Sequence, residues 1–272
     1  MLHTYYSIIV LLFTIGLVIS SVEFLYILPH FHVQGVYSWR VLATEQRQRL
    51  GWMSSHQMVK WLGDTRLLTG LLGIRLASPI VLLFLHPQTG PFAVVSGLLL
   101  LTMLAFTLRR YIGDDGSDQM NGIITMVLFL CAGLGRDERL LYVGLYFLAF
   151  QACLSYLAAG VAKALSPEWR DGSAIFKIFN TEAYGIRPVA TWLAGKRALQ
   201  WILAWSVIVV ECFFPLVVVL PLPLAALLLT WGVVFHVLCA VIMGLNSFLW
   251  AFTATYPAIV FVNLQLRSLV VG

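Results

Sequence analysis

The stretch YLAAGVAKALSPEWRDG, residues 156–172, decides how this chain can fold. It begins as the end of a long apolar helix and turns polar at Ser166-Pro167, where the proline removes a backbone donor. Lys163 lies just before that exit. An apolar helix with a lysine in its last turn, followed at once by charged residues, is typical of a span that leaves a membrane.

The composition extends this interpretation to the whole chain. Of its 272 residues, 60% are hydrophobic and 11% are charged, and the mean hydropathy is +0.90. Soluble domains carry about 25% charged residues, so this much apolar surface requires lipid as its solvent. We expect an all-α integral membrane protein in which residues 1–272 form one polytopic domain, without a large second domain.

Apolar runs of about 20 residues mark the segments that can cross a bilayer as helices. The first run has no basic segment before it and no small-residue cleavage site after it, so it predicts a retained span instead of a signal peptide. Runs joined by short turns should be antiparallel neighbours. We predict about eight transmembrane helices in one bundle, near residues 5–28, 67–86, 91–109, 118–134, 140–165, 199–220, 222–244 and 246–264.

Two connections between these runs are long. Residues 29–66 interleave aromatic and basic side chains, which predicts an amphipathic segment lying in the headgroup region. Residues 166–198 form a polar loop that carries Trp169, Tyr184 and Trp192 among charged side chains. Both loops follow odd-numbered spans, so they should lie at the same side of the membrane.

The distribution of basic residues predicts the orientation of the chain. Of the 17 Lys and Arg residues, twelve lie in the loops after the first, third, fifth and seventh spans, and three lie on the opposite side. The remaining two, Arg75 and Lys163, are inside spans. The positive-inside rule places the twelve-charge side in the cytoplasm and both termini outside the cell (inner) membrane. This rule explains the net charge of +5 without a nucleic-acid partner.

Seven polar residues fall within or at the edges of the apolar runs, where a charge costs about 2.5–3.5 kcal/mol on insertion scales. Depths counted at about 1.5 Å per residue put none of them close to the face opposite the twelve basic charges. We therefore expect one water-accessible cavity that opens on the twelve-charge side. Its expected lining residues are Glu23, Arg75, Asp118, Lys163, Glu211, His236 and Asn246.

Three of these residues are the candidates for catalysis. Glu211 and His236 lie on consecutive antiparallel spans at similar depth. They form a proton relay, a substrate-orienting pair or a hydrogen bond that only joins two helices. Lys163 lies near the membrane exit, where its head group either reaches the interface or acts as a desolvated base. We predict catalytic roles for all three residues and leave the structural alternatives open.

Other clusters give weaker signals. The acidic run at residues 114–118 predicts a helix cap, with a cation site as the alternative. His30 and His32 lack a third ligand nearby, which favours interfacial histidines over a metal site. The four cysteines lie in apolar runs without a CxxC pair and predict free thiols. The sequence has no Walker A, GxSxG, HExxH or dinucleotide-binding motif.

Three segments resemble the horizontally transferred transmembrane domain family, whose best-known member is the vitamin K-dependent gamma-carboxylase. Together they cover about residues 65–265. Each motif is short, and their order and spacing carry the resemblance. They are the polar start of a span at residues 113–121, residues 156–172 with Gly160, Lys163, Trp169 and Gly172, and a third segment with Glu211, Phe235-His236, Asn246 and Tyr256-Pro257.

The resemblance implies a membrane-embedded quinone as cofactor and a lysine that deprotonates its reduced form. Lys163 is at the position that matches this lysine, and His236 falls on a histidine of the family. The chain departs from the carboxylase at Ala162, where a second lysine is expected, and near Asp118, where a histidine is expected. It also lacks the large soluble domain that binds the carboxylase's substrate, so we do not expect carboxylation of a protein. The family's site opens away from the cytoplasm, against the side that the charge count predicts.

Two functional hypotheses follow. In the first, the protein is a quinone- or lipid-binding membrane enzyme that acts on a peptide or lipophilic substrate, with Lys163 as base and Glu211 and His236 orienting groups or relaying protons. In the second, it is a non-catalytic accessory or assembly subunit of a larger membrane complex, and its lipid-facing aromatic residues contact partner helices. A small transporter is a weaker third hypothesis.

Overall fold

A computed structural model of the chain describes residues 2–28, 64–109, 115–135, 137–182 and 184–271. Every regular element in these ranges is a helix, which confirms the predicted all-α class. Contacts divide the chain into two compact units, Met1–Gly144 and Leu145–Gly272, called here the N-terminal and C-terminal units. The single domain expected over residues 1–272 stays a prediction.

The first four helices of the N-terminal unit pack in chain order: α1 contacts α2, α2 contacts α3, and α3 contacts α4. Thr14 donates a hydrogen bond of 2.9 Å to the carbonyl of Pro79, and the Tyr6 hydroxyl donates to the carbonyl of Leu141 at 3.1 Å. Its helices are α1 (Leu2–Ile27), α2 (Thr65–Leu82), α3 (Gly90–Arg109) and α4 (Gly116–Gly133), and α5 (Glu138–Leu165) begins in it.

The C-terminal unit contains the rest of α5 and all later elements. Two segments that the sequence predicts as continuous spans, 199–220 and 246–264, are interrupted here. Its elements are α6 (Pro167–Arg170), α7 (Ser173–Phe179), α8 (Arg187–Leu193), α9 (Arg197–Phe213), a 3-10 helix (Phe214–Val218), α10 (Leu222–Met243), α11 (Asn246–Thr253) and α12 (Tyr256–Val271).

Seven helical segments in the described residues are long and apolar enough to cross a membrane, and they indicate an integral membrane protein. The fourth predicted span, 118–134, is the helix α4. It is not one of the seven, because its first two turns carry polar side chains, namely Ser117, Asp118, Gln119 and Asn121. The seven are Leu2–Ile27, Thr65–Leu82, Gly90–Arg109, Glu138–Leu165, Arg197–Val218, Leu222–Met243 and Asn246–Leu269.

Helix caps explain where two helices of the N-terminal unit begin. The side chain of Asp115 accepts hydrogen bonds from the backbone N–H groups of Ser117 and Asp118, which supports the capping interpretation of the acidic run. Asp114 lies outside the described residues, as do His30 and His32. The predicted interfacial segment 29–66 also lies outside them, apart from its last three residues, where Asp64 caps α2.

The two interruptions of the C-terminal unit occur next to prolines. Pro215 lies in the 3-10 helix that continues α9, where its missing N–H prevents a regular α-helical hydrogen bond. Pro257 is the second residue of α12, a position at which the N–H has no intrahelical partner anyway. The buried side chain of Asn263 donates to the carbonyl groups of Val217 at 2.8 Å and Leu220 at 2.9 Å. The amide of α12 therefore stabilises the end of the 3-10 helix.

The polar loop predicted at 166–198 contains α6, α7 and α8, which lie against α9. Ser166 and Pro167 begin α6, since a proline is tolerated in the first turn of a helix. The four cysteines are free thiols, as predicted: Cys131 and Cys153 are buried, and Cys212 and Cys239 are partly buried.

Candidate functional site

A cavity of about 620 Å³ lies within the C-terminal unit. Its wall is mostly apolar and aromatic, and its size is in the range of about 300–1,000 Å³ typical of small-molecule sites. Helices α5, α9, α10 and α11 supply its sides, and the short helices α6, α7 and α8 supply the rest. Four residues bring larger polar groups to this wall, namely Tyr156, Lys163, Glu211 and His236.

Lys163 and Glu211 form an ion pair on this wall. The Nζ atom of Lys163 donates to Oε1 of Glu211 at 2.9 Å and to Oε2 at 2.6 Å. The Lys163 side chain is 20% exposed and the Glu211 side chain 4% exposed. The ammonium group also lies 5.3 Å from the ring centroid of Trp169, at a distance typical of a cation–π contact. Two charges on a mostly apolar wall thus neutralise each other.

Glycine in α5 allows this pair to form. A Cβ atom on Gly160 would lie 2.7 Å from the backbone nitrogen of Cys212 and 2.9 Å from the carbonyl carbon of Glu211. Any side chain there would push α5 away from α9. Because Gly160 is one turn before Lys163, the close approach brings the lysine within reach of the carboxylate.

His236 lies in a second polar group on the same cavity. The Tyr156 hydroxyl is 2.7 Å from Nε2 of His236 and 2.8 Å from the Tyr256 hydroxyl, so three side chains from α5, α10 and α12 form a hydrogen-bonded chain. Phe214 stacks on Tyr156 at a centroid distance of 3.8 Å, and Phe252 stacks on His236 at 5.0 Å. This aromatic packing fixes the orientation of the three hydrogen-bonded side chains, and Nε2 is the ring nitrogen of His236 that Tyr156 contacts.

The structure brings Lys163, Glu211 and His236 together on one cavity but pairs them differently from the prediction. Glu211 and His236 were expected to interact with each other, whereas the carboxylate pairs with Lys163 and the imidazole with Tyr156. Lys163 turns its amine toward Glu211, which opposes the alternative of a lysine that only reaches the interface. Catalytic roles for the three residues stay predictions.

The other four predicted lining residues lie elsewhere in the chain. Asn246 begins α11 in the C-terminal unit but is not among the lining residues of the cavity. The remaining three belong to the N-terminal unit. Arg75 is buried in α2 and donates to the Ser20 hydroxyl at 3.1 Å, Glu23 is exposed on α1, and Asp118 lies in the first turn of α4.

Sequence reasoning missed Tyr156 and Tyr256 as site residues. A signal for Tyr156 was present, because it precedes Gly160 by four residues and Lys163 by seven, and this spacing places all three on one face of a helix. Tyr256 gives no such signal. It begins a new helix after an interruption, and only the fold shows that this helix start meets α5.

The segment α6–α8 is fixed to α9 by backbone contacts. Gly172 has a positive φ of 82°, and a Cβ there would lie 2.6 Å from the backbone nitrogen of Trp201. The Trp205 indole donates to the carbonyl of Arg170 at 3.1 Å. The Ser173 N–H donates to the Asp171 carboxylate and lowers its pKa, since the hydrogen bond favours the charged form. This part of the wall is therefore packed directly against α9.

The described residues show no group of three or more His, Cys, Asp or Glu side chains that could hold a metal ion. The arrangement suits an organic ligand instead: a large apolar volume, an ion pair, and a hydrogen-bonded imidazole. A lysine–glutamate pair can exchange a proton with a ligand hydroxyl. An imidazole can accept a hydrogen bond from a ligand hydroxyl.

Comparison with known proteins does not assign the chain to a family. No protein-family model, no curated protein and no solved structure matches the chain. The resemblance to the gamma-carboxylase family stays a prediction from short motifs. Any proposal about function therefore depends on the residues that line the cavity.

Proposed function

We propose that this multi-pass membrane protein binds a lipophilic ligand, a quinone in its reduced form, in the cavity of the C-terminal unit. The single observation that carries the proposal is the Lys163–Glu211 ion pair on the wall of a cavity of about 620 Å³. The apolar walls accept a ring and part of its hydrocarbon tail. The polar groups on the cavity wall form hydrogen bonds with the hydroxyl groups of the ring.

In the proposed reaction, a hydroxyl of the ligand gives its proton to the Lys163–Glu211 pair. The ligand becomes an oxyanion, and the pair gains one proton, so that it becomes an ammonium beside a neutral carboxylic acid. The total charge in the cavity does not change. The Lys163 ammonium then stabilises the oxyanion electrostatically in a site with little water. The sequence resemblance supports the participation of Lys163, because it matches the lysine that starts the family's reaction; here the pair as a whole, with Glu211 as its proton acceptor, takes the place of a lone lysine base.

His236 and Tyr156 are proposed to orient the ligand. Tyr156 occupies Nε2 of His236. In the tautomer that carries its proton on Nε2, Nδ1 is an acceptor for a second ligand hydroxyl. The Tyr256 hydroxyl and the aromatic rings of Phe214 and Phe252 hold this arrangement in place. Two separate polar contacts on one cavity wall would fix the position of a small ring bearing two oxygens.

The test is whether a quinone is retained by the protein. The protein is purified from membranes in a mild detergent, its lipids are extracted into organic solvent, and quinones are quantified by mass spectrometry. We expect retention by the wild type and by Lys177→Ala, which removes an exposed lysine on α7 outside the cavity lining. We expect Lys163→Ala and Glu211→Gln to lose it while eluting normally in size-exclusion chromatography.

A wild-type protein that carries no quinone, and binds none when a soluble hydroquinone is added, would refute the proposed ligand. Binding of the added hydroquinone is measurable through quenching of the cavity tryptophans, which include Trp169, Trp192 and Trp231. Equal retention in the wild type and in both cavity variants would refute the role of the ion pair, and a non-catalytic accessory subunit would then be the better account.

A further inference from the structure

We infer that the cavity selects an electrically neutral amphiphile with an O–H donor in its head group, and that the Lys163–Glu211 pair determines this selectivity. The inference rests on the proposed function only in that the cavity holds a ligand. It does not require that ligand to be a quinone.

The charges on the cavity wall sum to zero. Among the described lining residues, Lys163 and Glu211 are the two that carry a full charge, and they are bound to each other. Both carboxylate oxygens accept from the ammonium group, which also faces the Trp169 ring. Each charge therefore already has its counter-charge, and neither is left for an ionic ligand.

An ionic head group would meet two unfavourable choices in this cavity. It can displace one member of the pair, which leaves that member's charge buried without a partner. Alternatively, it can stay beside an intact pair in an otherwise apolar site, where its own charge loses its hydration without compensation. A neutral head group meets neither cost.

Several of the remaining polar atoms on the wall can accept a hydrogen bond from a ligand. The Ser155 hydroxyl donates to the carbonyl of Gln151 at 2.8 Å, and the Ser206 hydroxyl donates to that of Leu203 at 2.7 Å. Their protons are thus used within their own helices, and their oxygens remain as acceptors. Nδ1 of His236 is a further acceptor when Nε2 carries the proton that bonds Tyr156. An alcohol or phenol supplies the matching donor.

The selectivity is testable with three probes that share one hydrocarbon chain: 1-octadecanol, octadecanoate and octadecyltrimethylammonium. Purified protein in a non-ionic detergent, at an alkaline pH that ionises the acid, is incubated with equal concentrations of each. Bound probes are counted by native mass spectrometry. For the wild type, we expect at least about tenfold more bound alcohol than either ion, as a buried charge without a partner predicts.

Variants of the pair should reverse this preference in opposite directions. In Glu211→Gln, the Lys163 charge loses its partner, so octadecanoate binding should rise by about tenfold or more. In Lys163→Gln, the Glu211 charge loses its partner, so binding of octadecyltrimethylammonium should rise similarly. Lys177→Gln is the matched control because it removes the same charge outside the cavity, and it should keep the wild-type preference.

A blocked cavity is the second control. Ala159→Phe places a ring on the α5 part of the wall and should abolish alcohol binding without changing the elution volume of the protein. Equal binding of the three probes, no alcohol binding, alcohol binding that survives Ala159→Phe, or unchanged preferences in both pair variants would each overturn the inference. Failure of the proposed function is a separate result: the inference stands if octadecanol binds with this selectivity and no quinone is retained.

Discussion

Gly232 faces the Tyr256 hydroxyl so closely that a Cβ atom on the glycine would overlap that oxygen atom, and this Cβ would lie 3.4 Å from the Tyr156 hydroxyl. Glycine is unfavourable in the middle of a helix by about 1 kcal/mol relative to alanine. Here the missing side chain leaves room for the hydrogen bond between the Tyr156 and Tyr256 hydroxyls. Gly232 lies one turn before His236 on α10. The hydrogen-bonded chain of the candidate site therefore depends on a residue with no polar group.

Gly232→Ala should destabilise the protein by about 1–3 kcal/mol, the range expected for overpacking a buried contact. In a Tyr256→Phe background the overlapping oxygen is gone, so the same substitution should cost less. The measurement is the free energy of unfolding of both single variants and the double variant in mixed micelles. Gly73→Ala is the control, since a Cβ there meets no atom within 4 Å. Strictly additive effects would contradict the contact.

Tyr156→Phe should cost more stability than Tyr256→Phe. Tyr156 is the middle member of the chain, so its loss leaves both Nε2 of His236 and the Tyr256 hydroxyl without their partner. Each buried group left unpaired costs about 1–3 kcal/mol, whereas Tyr256→Phe leaves only one such group. Thermal unfolding followed by tryptophan fluorescence gives the order. Equal losses would show that the two hydrogen bonds do not form a chain.

Gly160→Ala should weaken ligand retention and lower the melting temperature. The added methyl group would meet the α9 backbone at Cys212, so α5 and α9 must separate and Lys163 moves away from Glu211. We expect a stability loss of about 1–3 kcal/mol. Retained quinone or octadecanol, measured by mass spectrometry, should fall in parallel. Gly73→Ala serves again as control, and normal retention by Gly160→Ala would separate the helix contact from the site.

Gly172→Ala and Gly195→Ala form a matched pair of substitutions. Both glycines have positive φ angles, 82° and 76°, so alanine costs about 1–2 kcal/mol of backbone strain at each. Only at Gly172 would the new Cβ also meet the backbone of Trp201. Hydrogen exchange of the α6–α7 segment should therefore increase more in Gly172→Ala. An equal increase in the two variants would mean that strain alone explains the effect.

The apolar runs predicted the helices because a helix that crosses a lipid bilayer needs about 20 consecutive, mostly apolar residues, and such runs are visible in the sequence. The partner of Glu211 was not predictable in the same way. Depths counted from the start of each run put Glu211 about 18 Å into the membrane and Lys163 within about 8 Å of the face, and the similar depth of His236 made that residue the predicted partner of Glu211. Such counting assumes that all runs begin at one plane.

The contacts between α5 and α9 show why this assumption fails. Gly172 lies against Trp201, Arg170 accepts from Trp205, and Gly160 lies against Cys212. The second and third turns of α9 are thus level with the α6–α7 segment that follows α5, and Glu211 is level with the end of α5. A helix start read from the sequence is not a membrane boundary. Only tertiary contacts fix the register between two helices.

Asn263→Leu tests the role of the interrupted helices. The amide donates to the carbonyl groups of Val217 and Leu220, where the 3-10 helix after Pro215 leaves acceptors without regular partners. Leucine has a similar shape but no donor, so both carbonyl groups would lose their side-chain partner. We expect a loss of about 1–3 kcal/mol per carbonyl group in the free energy of unfolding.

The control for Asn263→Leu is Ser268→Ala, which removes an exposed hydroxyl that bonds only within α12, to the carbonyl of Gln265. This substitution should change stability by less than about 0.5 kcal/mol, as is usual for a surface site. Asn263→Asp sharpens the comparison. A carboxylate has no donor and carries a negative charge toward two carbonyl oxygens, so it should be worse than leucine. If Asn263→Asp proved as stable as the wild type, the two hydrogen bonds would not hold the end of the 3-10 helix.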